Sequence, residues 1–159
     1  MNRISRETAT ILIVDDDPTM LGVTAEILNR FGYTVLTAQE GSEGLKAFEE
    51  AQSTIQLVIS DVVMPGMNGP QLVRLIKSRS PSTATLLMSG TQAVASDVGE
   101  ILISKPFTLE GLVSQVQALL ADCDFTRIEQ EQSIARSERL AHFRGTTVPC
   151  SRNGSAEHA

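Results

Sequence analysis

Leu57-Val58-Ile59-Ser60-Asp61-Val62-Val63-Met64-Pro65-Gly66-Met67-Asn68-Gly69 is the stretch that decides the fold. An apolar run ends in a carboxylate, and a loop rich in Pro and Gly follows. Packing alone explains this poorly, because Asp is depleted in strands and seldom buried without a partner. A second apolar run, Ile11-Leu12-Ile13-Val14, ends in Asp15-Asp16-Asp17. Laid side by side as parallel strands, the two runs crowd four carboxylates at one edge. Such acids repel one another unless a cation lies among them.

The same alternation extends outward from these runs. After Ile11–Val14, apolar positions at helical spacing from Pro18 to Phe31 predict a helix. Asp17 suits its N-cap better than a ligand role, Pro18 suits its first turn, and Gly32 stops it. Tyr33 to Ala38 has strand character, 41–51 suits a helix, and Ile55 to Ser60 is the third strand. Gly69 to Lys77 is the third helix, Thr85 to Met88 the fourth strand, and Ile101 to Ile103 the fifth. Thr108 opens a last helix with Leu109, Leu112, Val113, Val116, Leu119 and Leu120 on its apolar face. Strands alternating with helices imply an α/β fold with a parallel sheet covered on both faces.

The aromatic content is only 4%, so the core must be aliphatic. A net charge of −6 disfavours nucleic acid and anionic membrane surfaces as partners. No apolar stretch is long enough to span a bilayer, and the N-terminus lacks the apolar core of a secretory signal. Cys123 and Cys150 lie far apart in polar surroundings and fit neither a disulfide framework nor a zinc site. A cytoplasmic location is expected. After Asp122 the composition shifts. The tail balances five acids against five arginines, so the net charge belongs to residues 1–122. Residues 126–143 suit a polar helix, and the remainder reads as disordered.

Four of the five predicted strands end in reactive side chains: Asp15 and Asp16, Asp61, Ser89, and Lys105. In open parallel sheets, ligands bind beyond the carboxyl ends of the strands. Acids without Cys or His make an oxygen-only site suited to Mg²⁺. Lys105 adds positive charge, the Ser89 hydroxyl can donate to a phosphoryl oxygen, and Asp61 can act as a carboxylate nucleophile. Phosphoryl transfer fits these groups.

Ile11 to Pro18, Asp61 to Gly69, Ser89-Gly90 and Lys105-Pro106-Phe107, in this order and spacing, resemble the receiver domain of two-component response regulators, the CheY-like superfamily. The resemblance covers residues 9–122, leaving 123–159 as a C-terminal tail. It implies a flavodoxin-like, doubly wound five-stranded sheet of order 2-1-3-4-5. It implies that Asp61 accepts a phosphoryl group from a histidine kinase or histidine phosphotransfer protein. Asp16, Asp61 and the backbone carbonyl of Val63 would ligate Mg²⁺, with Asp15 acting through a metal-bound water. Ser89 and Lys105 would hold the phosphoryl oxygens, and the bond before Pro106 would be cis. The output would be a switch in contacts with an unidentified downstream protein. The chain would catalyse only its own phosphorylation and dephosphorylation.

Three features depart from the family pattern. Leu102 stands at the switch position, where an aromatic ring is usual, so it has no ring to reorient. The span between Ser89 and Lys105 is short, predicting a short or irregular fourth helix over 91–100. Val63 is apolar and cannot orient an attacking water, which leaves Thr91 as the nearby polar group. Two other functions compete. Asp15-Asp16-Asp17-Pro18-Thr19 loosely resembles the opening motif of haloacid-dehalogenase phosphatases, with Asp15 as nucleophile. A pseudo-receiver, binding partners without phosphorylation, is the other. Asp61 is unexplained in the first, and the intact acid set counts against the second.

Overall fold

The computed structural model describes residues 9–90 and 100–122, together with Ser133. The predicted fourth helix, over 91–100, falls outside this set except for Glu100, which lies in a bend. So does the tail, except for Ser133, which is helical and exposed. Chain contacts separate Met1–Thr126 from Arg127–Ala159, and every element below belongs to the first unit.

Five strands form one sheet of order β2-β1-β3-β4-β5. They are β1 (Thr10–Val14), β2 (Thr34–Ala38), β3 (Ile55–Asp61), β4 (Ala84–Ser89) and β5 (Leu102–Ser104), all paired in parallel. The helices are α1 (Pro18–Arg30), α2 (Gly41–Glu50) and α3 (Gly69–Arg79), with a last described helix over 109–122. This is the parallel α/β sheet expected from the alternation of elements, in the flavodoxin-like order that the resemblance implies.

The period of two along each strand divides the core. Ile11, Ile13, Leu57, Ile59, Leu86 and Met88 pack with Leu21 and Leu28 of α1 and with Leu112, Val116 and Leu119 of the last helix. Leu12, Val14 and Val58 pack with Phe48 of α2 and with Leu72 and Ile76 of α3. Each such fully buried aliphatic or aromatic side chain contributes about 1.5–3 kcal/mol. Strands buried on both faces explain the unbroken apolar runs.

Local signals explain the element ends. Asp17 accepts the Thr19 N–H at 2.9 Å and caps α1, while Gly32 takes a positive φ of 89° just past its end. A reciprocal capping box opens α3: Asn68 accepts the Gln71 N–H at 2.9 Å, and Gln71 accepts the Asn68 N–H at 3.0 Å. α3 runs two residues beyond the Lys77 expected from sequence, to Arg79. Pro81 sets the stop by excluding helical geometry at Ser80. Thr108 accepts the Gly111 N–H at 3.0 Å and opens the last helix. Among the described residues, no helix is long and apolar enough to cross a membrane.

Candidate functional site

The carboxyl ends of β1 and β3 lie side by side, in register Val14↔Ser60. Asp15 follows β1 and Asp61 closes β3, so both carboxylates emerge at the same edge. Oxygens of Asp15, Asp16 and Asp61 lie within 4.8 Å of one another. Asp15 is fully buried, Asp16 is exposed, and Asp61 retains 15% side-chain exposure. Asp17 does not join them, so the expected group of four acids is a group of three. The free N–H groups at the start of α1 compete for its carboxylate, and Thr19 holds it. Asp15 in turn accepts the Asp17 N–H at 3.0 Å.

Lys105 reaches this cluster from the far side of the sheet. Parallel pairing of β4 with β5 sets Ser104 opposite Ser89, and the Lys105 N–H donates to the Ser89 carbonyl at 2.7 Å. The Lys105–Pro106 peptide is cis. Lys105 Nζ donates to Asp15 Oδ2 at 3.1 Å and pairs with Asp61 Oδ2 at 3.4 Å. Ser89 closes β4 and is almost fully buried. Val63 turns its side chain to solvent, with 70% exposed.

Burial raises the Asp61 carboxyl above its ordinary range. The Lys105 charge opposes that rise, Asp15 adds to it, and hydrogen bonds from Lys105 and the Val63 backbone oppose it, leaving a net upward shift. Burial acts on Lys105 in the opposite sense and favours the neutral amine. The hydrogen bond and charge of Asp15, then those of Asp61, outweigh it and raise Lys105 overall.

Among the described residues, three carboxylates face one ammonium, a formal surplus of negative charge. The donors are all oxygen, and one carboxylate remains open to solvent. That donor set fits a hard divalent cation rather than zinc.

The loop after Asp61 is held by close backbone approaches. A Cβ on Gly69 would stand 2.2 Å from the Asp61 carbonyl oxygen, and one on Gly41 would stand 2.5 Å from that of Met67. Neither requirement is visible as spacing in the sequence. Leu102, which the resemblance places at the switch position, is half-buried against Val62, Val73 and Leu87.

A sheet of this order, with acids, a serine and a lysine at its carboxyl edge, defines a flavodoxin-like signalling domain. Residues 11–117 match the response regulator receiver domain, and the chain belongs to that family. Its role is that of a two-component receiver domain, a signalling unit rather than a conventional enzyme. The probable transcriptional regulatory protein TcrX of Mycobacterium tuberculosis is 27% identical over 81% of this chain and 57% of its own length. The chain thus spans little more than half of that relative. A receiver domain protein of Clostridium thermocellum superposes with a TM-score of 0.69 at 30% identity, covering 74% of this chain and 98% of its own. The response regulator TrrA of Thermotoga maritima, solved in complex with Mg²⁺–BeF, gives 0.64 at 28% identity over 70% and 99%.

Proposed function

We propose that Asp61 is the phosphoacceptor of a receiver domain spanning 9–122, with 123–159 as its tail. The observation that carries this reading is the convergence of Asp15, Asp16, Asp61 and Lys105 at one sheet edge. The donor is a phosphohistidine on a histidine kinase or a histidine phosphotransfer protein. An Asp61 carboxylate oxygen attacks phosphorus. The phosphorus–nitrogen bond breaks, and the leaving imidazole keeps the electron pair and takes a proton. Lys105 exchanges part of its ion pairing with Asp61 for the incoming phosphoryl oxygens, and the Ser89 hydroxyl donates to them.

Asp16, Asp61 and the Val63 carbonyl would hold Mg²⁺, with Asp15 acting through a bound water. When bound, the ion neutralises the acids and the charge of the phosphoryl group. Positioning and charge stabilisation do most of the work, so the chain catalyses its own phosphorylation and dephosphorylation and nothing more general. Phosphorylation switches contacts with a downstream protein. The acidic chain argues against direct contact with nucleic acid, and a cytoplasmic location fits these partners. Fully buried Asp15 is poorly placed as a nucleophile, which favours Asp61 over the phosphatase reading.

The test is labelling by a small phosphodonor with Mg²⁺. Wild type should incorporate one phosphoryl group, and Asp61→Ala or chelation of Mg²⁺ should abolish it. Label persisting in Asp61→Ala would defeat the assignment. A wild type that stays unlabelled, and that does not respond to beryllofluoride, would establish the pseudo-receiver instead.

A further inference from the structure

We infer that Ser60 is a positioning residue for phosphoryl transfer, holding the peptide unit from which the Asp61 side chain springs. The inference rests on Asp61 as the acceptor. Ser60 is fully buried, yet it is polar and sits within an apolar strand. It shares the strand face of Val58, which packs toward α2 and α3. Its hydroxyl donates to the Asp61 carbonyl at 3.0 Å.

That carbonyl needs such a donor. Pairing of β3 with β1 ends at Val14↔Ser60, one residue before Asp61. The Val62 N–H donates to the Met88 carbonyl of β4 at 2.9 Å. Planarity of the trans peptide then turns the Asp61 carbonyl away from β4. The first residue of α3 lies against the same oxygen, at a distance that only glycine allows. One peptide unit is thereby fixed from both ends: Ser60 on its oxygen, Met88 on its N–H. The next carbonyl, that of Val62, accepts the Gly69 N–H at 3.0 Å.

Without the hydroxyl, this peptide plane loses one of its two anchors. The Asp61 carboxylate then drifts relative to Lys105 and the other acids. Small errors in attack geometry cost rate more than they cost binding. A purely structural Ser60 would change stability and leave the rate constant alone.

The experiment uses the full chain, acetyl phosphate and saturating Mg²⁺, at a temperature where every variant is folded. Ser60→Ala and the near-isosteric Ser60→Cys should lower the labelling rate constant at saturating donor about tenfold. The half-saturating donor concentration should stay within about twofold of wild type. Ser60→Thr restores a hydroxyl and should recover most of the rate. A wild-type rate constant in any folded variant lacking the hydroxyl overturns the inference, as does a slow Ser60→Thr. Absence of label on wild type, or label on Asp61→Ala, would instead count against Asp61 as acceptor, so the two failures are distinguishable.

Discussion

β3 and β5 each deliver one charged side chain to the same site, and they are built differently. β3 has seven residues, lies between β1 and β4, and is buried along most of its length. β5 has three residues at the edge of the sheet, two half-buried and one exposed. Asp61 is locked to β3 by the contacts of Ser60 and Gly69. Among the described residues, Lys105 is held by a backbone bond to Ser89 and by its ion pairs with Asp15 and Asp61. Edge elements with few buried contacts open locally at lower free energy than central strands. Asp61, the proposed acceptor, is thus built on the firm arm of the site and Lys105 on the pliant one. The proposed exchange of carboxylate partners for phosphoryl oxygens suits a lysine on the pliant arm.

Replacing Lys105 tests the contrast hardest. Lys105→Met keeps much of the stem and removes the charge. It should slow labelling by about 100-fold or more, the usual cost of losing one charge-stabilising donor. Lys105→Arg should recover only part of the rate, because a planar fork differs from a point charge. Stopped-flow or filter-binding kinetics with a small phosphodonor measure both. A near-wild-type rate for Lys105→Met would mean that this arm contributes little to the chemistry.

Packing should separate the arms next. Leu57→Ala, in the fully buried part of β3, should cost about 2–5 kcal/mol in denaturant unfolding. Leu102→Ala, half-buried on β5, should cost about 1 kcal/mol. Equal losses would erase the difference between the strands. Gly69→Ala should cost about 1–3 kcal/mol through overpacking, because its new methyl meets backbone rather than a flexible side-chain end. It should also slow labelling, since the displaced atoms belong to Asp61 itself.

These differences mark where the sequence was legible. β1 and β3 show themselves as continuous aliphatic runs, because burial on both faces permits nothing else. The acids and Lys105 show themselves as polar residues at strand ends. The predicted β5, Ile101 to Ile103, lies one residue away from the observed strand. Its apolar content misled: Ile101 is 43% exposed, while Ser104 pairs with Ser89. The N-cap role of Asp17, by contrast, was legible, because an acid directly before Pro18 and an apolar helical pattern suits a helix N-terminus. The roles of Ser60, Gly41 and Gly69 depend on contacts between segments that neither propensity nor periodicity encodes. Ser60 carried one available signal, a hydroxyl inside an otherwise apolar run and next to Asp61. Leu102 marks the switch position in sequence, but only the fold shows its neighbours Val62, Val73 and Leu87.

The smallest expected effect tests the electrostatic side of the firm arm. Burial, opposed by Lys105 and reinforced by Asp15, raises the Asp61 carboxyl above its ordinary value of 3.8. A group whose pKa rises on folding stabilises the fold while it is protonated. That contribution is lost as pH rises through the folded-state value. Above that value and without Mg²⁺, Asp61 therefore works against the fold. Asp61→Asn keeps the shape and removes the charge, so it should melt a few degrees higher than wild type. Lys105 keeps its 3.1 Å bond to Asp15 in this variant, so its own contribution is lost only in strong base, above its ordinary 10.5. The advantage of Asp61→Asn should shrink toward acid, where wild-type Asp61 is also neutral. It should also shrink on adding Mg²⁺, because the proposed binding of the ion to the acids would stabilise wild type. Calorimetric melting of both proteins, across pH and with or without Mg²⁺, separates these cases. An Asp61→Asn protein that melts lower than wild type at neutral pH without Mg²⁺ would show that the Lys105 pairing outweighs burial, and that Asp61 rests in a stabilised rather than a costly position.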